Sequence, residues 1–199
     1  MTKTRNMSVL VYTESENGKF KKAALEVASY AKAVASQIGT TVTAVAFNVS
    51  DASELSNYGV DKVLNVTNTN EFNAKIYADA LKQAAEKEAA KVVVVSSSAD
   101  AKYLAPMLAV GLNAGYASNV IEAPSSTNPF TVKRTAFTNK AFNFTEINTD
   151  VKIVGVSNNS FGLVENSGSA TVEDFSPSLT TCDTKVQSVD KATDKVSIA

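Results

Sequence analysis

"VVVVSSSADAKYLAPMLAVGLNAG", residues 92–115, sets the fold class. Four consecutive valines need cover on both faces, which an interior strand of a parallel sheet provides. The run breaks at Ser96, Ser97 and Ser98, and a helical pattern follows over about 101–113. Strand, short polar loop and helix in that order make half of a βαβ unit. In such sheets the loop after the strand is where phosphates bind, so the serines also raise a question of function.

Working outward, the same alternation recurs. "SVLVYT" (8–13), "TVTAVAF" (41–47) and "DKVLNV" (61–66, after Gly59) are short apolar runs of strand type, and a weaker strand follows near 117–122. Phe20, Ala24, Val27, Ala31, Val34 and Ile38 recur at spacings of four and three, one stripe of an amphipathic helix closed by Gly39. Ile76, Ala80 and Ala84, beside Tyr77, Leu81 and Ala85, predict a second helix over 74–89. Pro106 is expected to open the third helix proper, after a turn over 99–104, because an interior proline costs about 3 kcal/mol. Strands alternating with helices pair in parallel through right-handed crossovers. The fold class is α/β, a doubly wound, mainly parallel sheet of order 3-2-1-4-5, with "VVVV" at the centre of a five-strand core.

Beyond Pro124 the texture changes. "FTVKRTAFTNKAFNFTEINTDVKIVGVS" holds three strand-like stretches with no helical period between them, which predicts antiparallel strands added to or beside the parallel sheet. From Val164 the chain is rich in Ser, Thr and Asp, with strand candidates at 169–175, 184–189 and 195–199. The expected organisation is a polar leader over 1–6, an α/β domain over 7–163 and an extended arm over 164–199.

Composition removes several chemistries. The chain has no histidine, which excludes Ser-His-Asp and Cys-His nucleophiles and histidine-bound metals. A formal net charge of −1 gives no basic excess for nucleic acid or an anionic membrane. No stretch approaches the roughly 18 apolar residues of a membrane span, so no membrane insertion is expected. Cys182 is the single cysteine, which excludes an internal disulfide and fits a reducing, cytoplasmic setting.

The switch point of a 3-2-1-4-5 sheet brings "TESENGK" (13–19) to face "SSSAD" (96–100). No glycine lies between Lys91 and Gly111 to let backbone approach a pyrophosphate. Glu14 and Glu16 would repel one, and Asp100 takes the positive end of the helix. Ser97 with Asp100, three apart, has the form of a capping box. The serines are therefore expected to cap, and the phosphate site to be vestigial, with neither ATP, AMP nor FAD bound tightly.

The remaining candidates have structural explanations. Tyr12, Tyr77 and Tyr103 are expected to pack, and Lys21, Lys22, Lys82 and Lys87 to line wet helix faces. Cys182 is expected to be a passive thiol. Lys133, Arg134 and Lys140 form the one local basic cluster, expected on a solvated strand face. Phe130, Phe137, Phe142 and Phe144 are expected to present an apolar surface that binds a partner.

Four stretches carry a family resemblance: "SVLVYTESENGKFKKAALEVASYAKAVA", "YGVDKVLNV", "KVVVVSSSADAKYLAPMLAVGLNAGYASNV" and "VKRTAFTNKAFNFTEI…VKIVGVSNNSF". In this order, from Met7 onward, the chain resembles the alpha subunit of electron-transfer flavoproteins of bacterial type. It departs where that family often carries Arg-Pro, here Ser157-Asn158, and at Met107, where an arginine often follows the proline. The resemblance implies the N-terminal domain of such a subunit, with a nucleotide alpha-hydrolase-like fold, and a C-terminal FAD domain without counterpart in this chain. It implies a beta subunit as partner and passage of electrons from acyl-CoA dehydrogenases to a quinone reductase. FAD belongs to the full complex, and none is expected on this chain alone. No catalytic, cofactor-binding or metal-binding residue is assigned. The alternative is a free-standing nucleotide-binding module like the universal stress proteins, whose glycine-spaced loop this chain lacks.

Overall fold

The computed structural model describes residues 8–69, 71–166, 168–184 and 187–188. The leader over 1–6 and the strand candidate at 195–199 lie outside them, as does half of that at 184–189. In chain order the elements begin with β1 (Ser8–Thr13), a small hairpin of β2 (Ser15–Glu16) and β3 (Lys19–Phe20), α1 (Lys22–Ile38) and β4 (Thr41–Phe47). A 3-10 turn over 53–57 leads to β5 (Lys62–Val66), α2 (Ala74–Lys87), β6 (Val92–Ser96) and α3 (Ala99–Leu112). Then follow β7 (Gly115–Val120), β8 (Ser126–Thr127), β9 (Phe130–Ala136), β10 (Ala141–Ile147), β11 (Lys152–Val156) and β12 (Thr171–Asp174).

The large sheet has the order β10-β9-β7-β11-β6-β1-β4-β5-β12, with β8 paired to β9. Every pair from β7 to β12 is parallel, and β9 and β10 add on antiparallel. The doubly wound parallel sheet is thus present, with β6 in its interior. The expected order 3-2-1-4-5 is corrected in one place. β11 enters between the fourth strand and the fifth and pairs in parallel with both, although 151–156 was expected among the antiparallel additions. The physical reason is cover: Ile153, Val154 and Val156 are all buried, as in a strand of a parallel sheet with a layer packed on each face.

Strand periodicity divides the core into two. Val9, Val11, Val92 and Val94 face α1, with Val27, Tyr30, Ala31 and Val34. Leu10, Tyr12, Val93 and Val95 face α2 and α3, with Leu81, Leu104 and Leu108. The α1 stripe is buried from Ala24 to Val34, whereas Phe20 lies in β3 before the helix. Gly39 closes α1 in the left-handed conformation at φ 70°, as its sequence position implies.

Pro106 corrects a second expectation. α3 runs unbroken from Ala99, with the proline inside it. Pro106 sits on the exposed face, where water can serve the carbonyl it leaves without an N–H partner.

Residues 157–166 and 168–182 cross one face and one edge of the domain before reaching the other face. Phe161 packs edge-on against Tyr30 of α1 at 5.2 Å, and the Val164 N–H donates to Ser29 Oγ at 3.1 Å. The chain then becomes β12 on the outer edge, where Lys62 Nζ reaches Glu173 at 2.8 Å and Glu88 at 2.9 Å. Finally it lies along α2, where Ser178 N–H donates to Gln83 and Asn73 Nδ2 to Cys182 Sγ.

Candidate functional site

The two switch-point loops meet as the topology requires. After β1 the chain is stitched to the end of β4, Thr13 Oγ1 donating to the Val45 carbonyl at 3.0 Å and Ser15 Oγ to that of Phe47 at 2.7 Å. The turn between β2 and β3 is Asn17-Gly18, with φ 52° and 75°. This pair suits a two-residue hairpin and was a legible signal that the sequence reading passed over. Between these anchors Glu14 is turned inward and only 3% exposed.

The serines close around Glu14. Ser96 Oγ and Ser98 Oγ both donate to Glu14 Oε1, the second at 2.6 Å. Each hydroxyl also accepts, Ser96 from the Ser98 N–H at 3.2 Å and Ser98 from the Ala101 N–H at 3.0 Å. Ser98 is therefore the cap of α3, and the expected box of Ser97 with Asp100 is corrected. A side chain at the cap reaches the N–H three residues on, which from Ser98 is Ala101. Ser97 Oγ is buried without a hydrogen-bond partner.

This arrangement does not fit a phosphate. The position facing the α3 start holds a carboxylate, and the two hydroxyls that would serve an anion already donate to it. Lys21 Nζ stands 3.8 Å from Glu14 Oε2, too far for a hydrogen bond. Beside it lies a cavity of about 160 Å³ whose lining includes Tyr12, Glu14, Asn17, Lys21, Tyr77 and Asp100. Burial first, then the charge of Glu14, holds the Tyr12 phenol well above its usual range. Burial likewise raises Tyr77. Phe47 stacks on Tyr77 at 3.8 Å, and Tyr12 meets both rings edge-on.

The other sequence candidates are dispersed. Tyr103 is 70% exposed on α3 rather than packed. Lys82 pairs with Glu86, and Lys87 with Glu173. The basic cluster dissolves, because neighbouring strand residues point to opposite faces. Lys133 pairs with Glu122 and lies over the Phe142 ring at 4.8 Å, while Arg134 reaches Ser118. Of the four phenylalanines, Phe137, Phe142 and Phe144 are exposed on or beside the edge strand β10. Phe130 is buried at 4%, a correction, since it begins β9 beneath the sheet core. Cys182 is held below the usual thiol range chiefly by hydrogen bonding with Thr184.

One functional-looking group escaped the sequence reading. Glu26, 4% exposed on α1, accepts the N–H groups of Asn159, Phe161 and Gly162 at 2.8–2.9 Å. Its partners lie more than 130 positions away, and a glutamate on a helix gives no local sign of them. Among the described residues no group of three or more His, Cys, Asp or Glu side chains is placed to hold a metal ion. None of the described helices is long and apolar enough to cross a membrane.

Against known proteins, the model of the electron transfer flavoprotein domain matches residues 9–180. No curated protein matches the chain. The match spans most of the sequence, so the chain belongs to the electron transfer flavoprotein domain family.

Proposed function

We propose that this member of the electron transfer flavoprotein domain family is the N-terminal, structural domain of an alpha-type subunit. With a beta subunit it forms the base of a cytoplasmic carrier that moves electrons from acyl-CoA dehydrogenases to a quinone reductase. The domain contributes no catalytic residue of its own. FAD is held by other parts of the complex, because the Glu14 carboxylate occupies the position where this fold would otherwise receive a pyrophosphate. The same clasp disfavours a free-standing nucleotide-binding module.

The observation that carries the partner reading is β10. Among the described residues it is the last strand of the sheet, with no strand paired to its outer backbone edge, and Phe142 and Phe144 are each 64% exposed on it. An apolar edge of this length is a template for another chain unless something covers it. Co-expression with a beta subunit of the same family, followed by size-exclusion chromatography, tests the proposal. A one-to-one complex is expected, weakened by Phe142→Ser with Phe144→Ser and unchanged by Lys82→Ser. A monodisperse monomer that captures no beta subunit would refute it.

A further inference from the structure

The cavity beside Glu14 has two polar groups left over. Glu14 Oε1 takes both serine hydroxyls, whereas no hydrogen bond reaches Oε2 among the described residues. Its nearest cation, Lys21, stops at 3.8 Å with its side chain 40% exposed. Tyr12 lines the same cavity and is 4% exposed. Its hydroxyl makes no hydrogen bond among the described residues, and its side chain is part of the cavity wall. Buried polar groups are ordinarily paired, and a carboxylate oxygen that faces a cavity is open to a donor brought by a ligand.

The charge balance of the lining favours one class of ligand. Glu14 and Asp100 face the cavity against the single ammonium of Lys21. An anion is opposed by both carboxylates and finds no free hydroxyl donor in the serine pair. A hard divalent ion wants six or more oxygens, several from carboxylates, and the donor set lacks them. A cation carrying its own N–H donors meets every group: it donates to Glu14 Oε2 and to the Tyr12 oxygen, and faces Asp100. The phenol, kept neutral by burial and by Glu14, remains a good acceptor at physiological pH. Space of about 160 Å³ admits a compact head group and its water, not a nucleotide.

We infer that this cavity is a receptor for a compact organic cation, an alkylammonium or guanidinium group, recognised by Glu14, Tyr12 and Asp100. The group belongs either to a free small amine or to a Lys or Arg side chain of a bound protein. The inference is independent of the electron-carrier reading and survives if no beta subunit binds.

The test is an NMR titration of the full 199-residue chain with methylguanidinium and with butylamine at constant ionic strength. Saturable shifts are expected at residues 12–18, 48 and 98–101, in the millimolar range proper to a few contacts. Glu14→Gln should weaken binding about tenfold, as loss of a charge-assisted contact does. Lys21→Met removes the resident competitor and should tighten binding several-fold, which a merely structural Glu14 would not produce. Asp100→Asn, with an expected smaller loss, keeps the test open if Glu14→Gln does not fold. Blocked arginine amide binding as well as methylguanidinium identifies a side-chain receptor. Much weaker binding of the blocked amide identifies a free amine. Absence of saturable shifts, shifts unaltered in the Glu14 and Asp100 variants, or equal binding of phosphate would overturn the inference.

Discussion

Glu14 and Glu26 are both buried glutamates beside the same sheet, yet they do opposite things. Glu26 takes three backbone N–H groups from one loop and spreads them over both oxygens. Its charge is fully committed, and it holds 159–162 against α1. Glu14 takes two neutral hydroxyls on one oxygen and leaves the other facing a cavity. A saturated carboxylate is a fastener, whereas a half-saturated one is a place for a ligand. The distinction lies in the donor count and cannot be read from burial, which is nearly equal.

The comparison breaks first at its limit, a carboxylate given no donors. Val94 is fully buried in β6, so Val94→Asp inserts a charge that no neighbour can pair. A cost of several kcal/mol is expected, and the chain should not fold, as circular dichroism would report. A variant that melted like the parent would mean β6 is not interior.

Next in size is Glu26→Ala. Three charge-assisted hydrogen bonds disappear together, and partial rescue by water leaves a loss of about 3 kcal/mol. For a chain of this length that lowers the melting temperature by about 6–12 °C. Limited proteolysis should then cut within 157–164 before it cuts elsewhere.

Glu14→Ala should cost less, about 1–2 kcal/mol, because water entering the enlarged cavity can accept from Ser96 and Ser98. Thermal melts of the two alanine variants side by side sharpen the contrast. Equal losses would mean that the spare oxygen of Glu14 is not spare.

The smallest effect belongs to an exposed carboxylate. Hydrogen bonds from Lys62 and then Lys87 hold Glu173 below its ordinary value of 4.5. A depressed value in the folded state means that the contribution is present above about pH 4.5 and is lost as pH falls through the lowered value. Protection factors at 171–175, corrected for the intrinsic pH dependence of amide exchange, should fall in that acid window before the core responds. Glu173→Gln should remove most of the pH dependence while leaving exchange in β6 unchanged.

Most of the fold was legible because its signals are local. Runs such as 8–13, 41–47 and 92–95 declare buried strands, and α1 declares its stripe and its Gly39 stop. β11 carried the same signal more weakly: after Lys152, "IVGV" is an apolar run like "VVVV", and cover on both faces is expected for it too. Its neighbours in the chain are antiparallel strands, and proximity outweighed composition. At the site, the facing of the two loops followed from topology, and the acidic character of 13–19 was visible. The clasp of Glu14 by Ser96 and Ser98 was not, since it depends on which way three adjacent serines turn. Ser98 caps because backbone geometry places it three residues before the Ala101 N–H, a register of one residue that spacing alone left open. Glu26 and its loop were invisible for a different reason: nothing in either segment marks the other.

The insertion of β11 between β6 and β7 has a consequence for how the protein comes into being. β7 is made before β11, yet its parallel place in the sheet exists only beside β11. Without residues 152–156, β1, β4, β5 and β6 still have one another to pair with, but β7 has no parallel neighbour. Its other neighbour is the antiparallel flank of β9 and β10. In the finished sheet a single segment of five residues joins the parallel strands on one side to β7, β9 and β10 on the other. Contacts of such long sequence separation make for slow closure, and the open edges of β6 and β7 are sticky until it happens. A chain that lacks residues 152–156 should therefore expose the edges of β6 and β7 together and aggregate more readily than the full chain.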